Sequence, residues 1–323
     1  MRVVITGGTG LIGRALSASL LADGHQVTVL SRSPDDARVE AGAALAVWNG
    51  RDTGDWSGAL DGADAVVNLA GASLAGEGAV PARWNPAYKR LIRDSRIDAG
   101  RALVDAISGL ATRPKVLIQA SGIGIYGSWP GDAPVCDEAC AQADVQADVQ
   151  ADAQVGHFLA RLARDWEDSS RAVEAKGVRH VALRTGVVLA RDGGALPRIA
   201  MPVRMGLGGP LGSGRQMLSW IHLDDEVRAI RFLIERDDLC GAFNLTAPDA
   251  RSNAGFGREL AKALHRPFWM PTPALVMRMM LGEAADLVLT GQRVTPRSLL
   301  DAGFEFRHAK LETALMDIYR PGA

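Results

Sequence analysis

Residues 3–13, VVITGGTGLIG, constrain this chain more than any other stretch. Three branched apolar residues, Val3, Val4 and Ile5, read as a short buried strand, and they run straight into a glycine turn. Gly8, Gly10 and Gly13 satisfy G-x-G-x-x-G, and Gly7, Gly10 and Gly13 satisfy the looser G-x-x-G-x-x-G. An amphipathic pattern follows (Leu11, Ile12, Leu16, Leu20, Leu21) and predicts a helix beginning near Leu11. One glycine makes the tight turn, one lets backbone N–H groups approach a pyrophosphate, and one lets the helix pack on the strand. The helix start then offers unpaired N–H donors and a positive dipole end. Gly7, Gly10, Leu11, Ile12 and Gly13 are therefore the expected cradle of a dinucleotide.

Strand and helix patterns alternate beyond this turn. Strands are predicted over 25–30, 44–48, 65–69, 115–120 and 179–184, and helices over 86–110 and 157–176. Such alternation specifies an α/β protein with a doubly wound parallel sheet of Rossmann type. Ligands in such sheets lie at the carboxyl ends of the strands, here 6–10, 31–33, 70–73 and 121–126. After Leu189 the alternation stops. A glycine-rich loop (206–214), a helix over 226–235, a strand over 242–245 and helical periods over 253–265 and 274–290 follow, then short apolar groups over 296–316. The expected organisation is a dinucleotide-binding domain over 1–190, to which 220–245 returns. Residues 191–219 and 246–323 form a smaller, mostly helical substrate domain. The repeat QADVQADVQADAQ at 142–154 reads as an exposed insertion without chemistry.

Charge and cysteine usage exclude several classes. Lys+Arg number 36 against 37 Asp+Glu, so no global field draws the chain to nucleic acid or anionic membrane. No apolar run has the length of a bilayer span. A first strand at residue 2 leaves no room for a signal peptide, and the expected location is cytoplasmic. Of the three cysteines, Cys136 and Cys140 would need two further ligands to hold zinc, with only His157 nearby, and the six histidines form no ligand motif. No metal is expected.

The residues after the second strand choose the nucleotide. An acidic side chain there takes a ribose 2′-hydroxyl, and an arginine takes a 2′-phosphate. Here the sequence is Ser31-Arg32-Ser33, with no carboxylate before Asp35, so NADP is expected over NAD. The small residues of Asn68-Leu69-Ala70-Gly71 let the fourth strand end beneath the adenine ribose and the bridging phosphates.

TGGTGLIG at 6–13, NLAG at 68–71, SGIGIYG at 121–127, LRTGVVL at 183–189 and WIHLDD at 220–225 together resemble the extended short-chain dehydrogenase/reductase superfamily. RW at 83–84, SR at 95–96, DWE at 165–167, GLGGPLGSGRQ at 206–216 and GQRVTPRSLLDAGFEFRH at 291–308 narrow the resemblance. They resemble an atypical NAD-dependent epimerase/dehydratase-like branch with a short C-terminal domain of unknown function. The resemblance implies bound NADP. It puts Ser31 and Arg32 at the 2′-phosphate, Leu69 and Ala70 against the nucleotide, Arg96 at the phosphates and Val188 near the nicotinamide.

Members of that superfamily use a tyrosine as acid/base, with a lysine four residues later. This chain has no Tyr-x-x-x-Lys: Ile92, Pro130 and Ala323 stand four beyond Tyr88, Tyr126 and Tyr319. Anchoring on Glu167 puts Leu159 and Ala163 at the two positions. Loss of a general acid costs roughly 10²–10⁴-fold and need not abolish turnover. Ser121 and Tyr126, at the end of the fifth strand, are the nominated substitutes. His222, ahead of Asp224 and Asp225, is expected to be structural, with an aspartate capping the next helix. Arg83 and Trp84 are candidates for a substrate wall, and Arg83 and Arg215 for clamps on an anionic substrate. The leading expectation is an NADP-dependent oxidoreductase acting on a small molecule. The rivals are a nucleotide-sugar epimerase or dehydratase and a catalytically weak NADP-binding sensor or scaffold. A homodimer is within expectation.

Overall fold

Alternation along each strand sorts side chains into two apolar layers. In β1 (Arg2–Thr6), Val3 and Ile5 enter one buried cluster and Val4 enters the other. A computed structural model describes residues 1–33, 38–76, 78, 82–140 and 154–320, with side chains in the last range from 158 onward. All but the last residue of the 142–154 repeat thus lies outside the described residues, as does the His157 side chain.

β1 is joined by β2 (Gln26–Ser31), β3 (Ala44–Val47), β4 (Ala65–Asn68), β5 (Val116–Gly122), β6 (Arg179–Thr185) and β7 (Gly241–Leu245). These seven strands form one parallel sheet in the order 3-2-1-4-5-6-7. The order reverses between β1 and β4, which opens a ligand crevice at the carboxyl ends of those strands. Register is continuous across the middle: Thr6 stands opposite Asn68, Asn68 opposite Gln119, and Gly122 opposite Thr185.

α1 (Leu11–Ala22) and α5 (Leu223–Glu235) cover one face, burying Leu16 and Leu20 with Val227, Ile230 and Leu233. α2 (Pro86–Ser108) and α3 (Gln154–Arg171) pack together on the other face, where α2 buries Leu103 and Ile107 against Val66 and Leu117. Asn85 caps α2 by accepting the Tyr88 N–H at 2.8 Å, and Pro86 starts it. α4 (Leu196–Arg204) and α6 (Asn253–Ala263) build a further core with Trp220 and with the helix Leu311–Ile318. α7 (Ala274–Leu281) places Leu281 against Trp84 of the 82–85 approach, Ile92 of α2 and Leu162 of α3. No helix among the described residues is long and apolar enough to cross a membrane.

Three expectations are corrected. The helical period over 274–290 is interrupted, because Gly282, at φ +60°, ends α7 and a 3-10 turn precedes the short helix Asp286–Leu289. Trp220–His222 does not return to the large sheet; it pairs in parallel with Val187–Leu189 as a separate two-stranded ribbon. α5 begins at Leu223 rather than 226, and its N-cap is His222, whose Nδ1 accepts the Asp224 N–H at 3.1 Å. An aspartate does not hold that position.

Candidate functional site

The glycine turn is locked by contact. Gly7 has φ +66°, and a Cβ on it would fall 2.6 Å from the Leu69 carbonyl oxygen. A Cβ on Gly13 would fall 2.5 Å from the Gly7 oxygen and 2.6 Å from Gly8 Cα. Only glycine lets α1 start this close to β1 and β4. Gly10 is the N-cap of α1, and no side chain accepts from the first turn. The N–H groups of Leu11, Ile12 and Gly13 are thus the natural seat for an anion at the crevice. The loop at Gly193 and Gly194 packs on the Leu11 side chain, and Gly194 lies beside the Val188 carbonyl. Leu11, Val188 and Leu69 are in this way brought together at the carboxyl edge of the sheet, where the groove opened by the strand-order reversal lies.

A buried polar chain fixes the strand ends beneath that groove. Thr6 Oγ1 donates to Asn68 Oδ1 at 2.6 Å, Asn68 Nδ2 to Gln119 Oε1 at 2.9 Å, and Gln119 Nε2 to the Ala120 carbonyl at 2.8 Å. The Ala70 N–H donates to Thr6 Oγ1 at 3.2 Å, so the course of Leu69-Ala70 is set by β1. At the end of β2, Ser31 is buried and its Oγ accepts the Ser33 N–H at 3.3 Å. Arg32 is exposed beside Gly50 and makes no ion pair among the described residues.

Arg96 lies deeper than the resemblance implies. It is buried under Gly71, stacks over the Trp166 ring at 4.7 Å, and donates from Nη1 to the carbonyls of Ile92 at 2.8 Å and Ala72 at 3.0 Å. Burial pulls its pKa down to about 10. Its visible work is to hold the 70–72 backbone, which lines the groove.

Ser121 and Tyr126 enter a buried polar network. Ser121 Oγ donates to Glu167 Oε1 at 2.8 Å. Arg184 grips the same carboxylate from Nε at 2.8 Å and Nη2 at 3.0 Å. Its Nη1 donates to the Tyr126 hydroxyl at 3.0 Å, which donates in turn to Asn244 Oδ1 at 2.8 Å. Tyr126 is 3 % exposed, and burial pushes its pKa up to about 12. A phenol so held is a poor acid/base near neutrality. Through these bonds the two hydroxyls brace β5, β6 and β7 against α3. On α3, Leu159 packs against Gly124, and Ala163 is buried with Ile125 and Tyr126, so the two positions of the absent pair are apolar.

Arg83 and Trp84, the candidates for a substrate wall, are both engaged within the fold. Arg83 Nη2 donates to the Met279 carbonyl at 2.7 Å and ties the 82–85 approach to α7. Trp84 is buried edge-on to Phe158 and donates to the Leu74 carbonyl at 2.8 Å. Arg215 is exposed beside Gly131, without an ion pair among the described residues. His222 stacks on His308 at 3.9 Å between ring centroids, with Asp317 close by. Its Nδ1 already accepts a backbone N–H, so the neutral ring carries its proton on Nε2, the atom a metal would need bare. Histidine position in the sequence gave no hint of this cluster.

Sequence reasoning also missed Arg184 as the partner of Glu167, Asn244 as the partner of Tyr126, and Glu226. Glu226 reads as the third acid in the first turn of α5, where acids ordinarily face solvent and complement the dipole. It is instead wholly buried, with Thr185 Oγ1 donating to its Oε1 at 3.0 Å.

The profile of the "NAD dependent epimerase/dehydratase family" matches residues 3–245, and that of "Domain of unknown function (DUF1731)" matches 272–318. The chain is 40% identical over 317 residues to "Epimerase family protein Mb2239" of Mycobacterium bovis, covering 97% of this chain and 96% of that one. It is 35% identical over 323 residues to "Epimerase family protein YfhF" of Bacillus subtilis, covering 98% of each. A crystal structure of "human epimerase family protein SDR39U1 (isoform2) with NADPH" superposes with a TM-score of 0.85 at 32% identity, over 99% of this chain and 100% of that one.

Proposed function

Because the chain belongs to the NAD-dependent epimerase/dehydratase family and carries that family's DUF1731 region, we propose that it is an NADP(H)-dependent oxidoreductase of a small molecule. The observation that carries the choice of nucleotide is the end of β2. Arg32 stands there exposed, without an ion pair among the described residues, beside buried Ser31, where an NAD site would offer a carboxylate. The human relative, whose structure includes NADPH, supports the same choice.

The residues fit such a nucleotide. Gly7, Gly10, Leu11, Ile12 and Gly13 would hold the pyrophosphate through backbone N–H groups at the uncapped start of α1. Arg32 and Ser31 would hold the 2′-phosphate, Leu69 and Ala70 would pass beneath the adenine ribose, and Val188 would lie near the nicotinamide. Arg96 would act through the 70–72 backbone that it holds. When bound, the group supplies hydride chemistry, and the chain supplies its orientation and its surroundings.

The apolar Leu159 and Ala163 speak against sugar epimerisation, which requires a proton to leave a hydroxyl. Of the two nominated clamps, Arg83 is bonded to α7, and Arg215, without an ion pair among the described residues, is the one for an anionic substrate. The test is to follow NADPH oxidation against a panel of aldehydes, ketones and quinones, and to follow UDP-hexose interconversion in parallel. Carbonyl-dependent oxidation supports the reading. Sugar interconversion without net cofactor turnover would replace it with the epimerase reading, and tight binding with neither reaction would replace it with a sensor.

A further inference from the structure

Glu226 is a buried acid outside the residues assigned to the nucleotide. Its relative exposure is 0%, and its Oε2 has no hydrogen-bond partner among the described residues. A buried polar atom left bare costs about 1–3 kcal/mol, so its persistence calls for a reason. Its other oxygen reaches Thr185, the last residue of β6, on the ligand edge of the sheet. Thr185 stands opposite Gly122 in β5 and three residues before Val188, whose carbonyl lies by the loop that packs on Leu11. The run 185–188 therefore leads from the ligand edge of β6, next to the last strand of the sheet, toward the loop that packs on the glycine turn's Leu11. On the nucleotide reading above, that run lies beneath the nicotinamide.

We propose that Glu226 is the proton-exchanging group of this nucleotide site: neutral with the reduced cofactor, ionised with the oxidised one, and linked to the substrate through the Thr185 hydroxyl. The reason is electrostatic. An oxidised nicotinamide ring carries a positive charge and a reduced one does not, and a buried carboxyl near it feels the difference with little screening. In carbonyl reduction Glu226 gives its proton to Thr185 as Thr185 gives its own to the substrate oxygen. The hydride that completes the new C–H bond comes from the reduced nicotinamide, and the Glu226 carboxylate then takes a proton from water. The pair does the work left by the missing tyrosine and lysine.

The surroundings leave the carboxyl free to titrate. Burial pushes its pKa up to about 8, and the Thr185 bond is the one opposing influence. On its own helix, Asp225 is held by Arg228 and by the backbone N–H groups of Arg307 and His308, and Asp224 pairs with Arg307. On α1, Arg14 pairs with Glu40; on the 220–222 strand, His222 is the cap of α5; β5 and Val187–Leu189 carry no titratable side chain. On β6, Arg184 turns to Glu167 on α3, and His180 bonds Ser170 of the same helix.

The test compares the affinities of NADP+ and NADPH by calorimetry from about pH 6 to about pH 9, in the wild type and in Glu226→Gln. The 2′-phosphate titrates alike in both nucleotides and cancels in their ratio. In the wild type the ratio should shift toward NADP+ as pH rises, by up to about tenfold per pH unit. Glu226→Gln should flatten it. In the wild type alone, NADP+ binding near neutrality should release up to about one proton, read from buffers of different ionisation enthalpy, and NADPH binding should release none. A ratio independent of pH in the wild type, or a slope that survives in Glu226→Gln, overturns the proposal while leaving the nucleotide reading intact. Failure of both nucleotides to bind overturns both.

Discussion

The Arg184 guanidinium meets the Glu167 carboxylate through two parallel hydrogen bonds, at 2.8 and 3.0 Å, with side chains 5% and 2% exposed. The pair joins β6 to α3, and Ser121, Tyr126 and Asn244 complete its polar surroundings. Breaking such a pair on one side strands a buried charge. Glu167→Ala should therefore cost about 3–5 kcal/mol of unfolding free energy. Glu167→Ala with Arg184→Met should recover part of that loss. Urea denaturation of the two variants checks both.

Tyr126→Phe removes one hydroxyl from the same network. The Asn244 side chain loses a donor and Arg184 Nη1 loses an acceptor. Stability should fall by about 1–3 kcal/mol. NADPH affinity should change less than about twofold, a shift well under the 1.4 kcal/mol that makes a factor of ten. A large loss of turnover at unchanged stability would restore Tyr126 to a direct chemical role.

Stability should depend on pH through buried groups of opposite sign: Glu226 on one side, and His180, with His222 lowered in the same direction by burial, on the other. Glu226, raised from 4.5 to about 8, keeps its proton in the folded chain and loses it in the unfolded one, so stability falls as pH rises from 4.5 through about 8. His180, lowered from 6.5 to about 4 chiefly by burial, favours the folded chain above 6.5 and loses that contribution as pH falls toward 4. The slopes oppose below 6.5, and above it Glu226 acts alone. Between pH 6.5 and 8 the wild type should lose about 1.4 kcal/mol per pH unit, and Glu226→Gln should not. Thermal denaturation at fixed ionic strength reads the difference.

Gly13→Ala should be severe. The added methyl would lie 2.5 Å from the Gly7 carbonyl oxygen and 2.6 Å from Gly8 Cα, both backbone atoms, so α1 must shift. A cost of about 1–3 kcal/mol is expected from such overpacking, with loss of nucleotide binding beyond it. Gly58→Ala, with open space around the added Cβ, is the control.

The first strand, turn and helix were legible because their constraints are local: the glycines at 7 and 13 exclude any Cβ, and the apolar period of α1 runs unbroken. The seven strands were legible for the same reason. The end of α7 was not, since the apolar period continues through Gly282 and only the backbone at φ +60° stops it. The bonding of the hydroxyls at 121 and 126 was not legible, because the partners that claim them, Glu167, Arg184 and Asn244, come from distant strands and a helix. The cap of α5 was misread, and Glu226 was passed over, for a shared reason. Each sits at the start of α5, where sequence habit assigns the cap to an aspartate and solvent to an acid.

The central claim is that the groove at the glycine turn grips a dinucleotide through a 2′-phosphate held by Arg32. Calorimetric titration of NADP+ and NAD+ into the wild type and Arg32→Ala tests it most directly. NADP+ should bind the wild type about ten- to a hundredfold more tightly than NAD+, as one charge-assisted contact of about 1.5–3 kcal/mol allows, and Arg32→Ala should erase the difference. Equal affinity of the wild type for the two nucleotides, or a preference that survives in Arg32→Ala, would contradict the account.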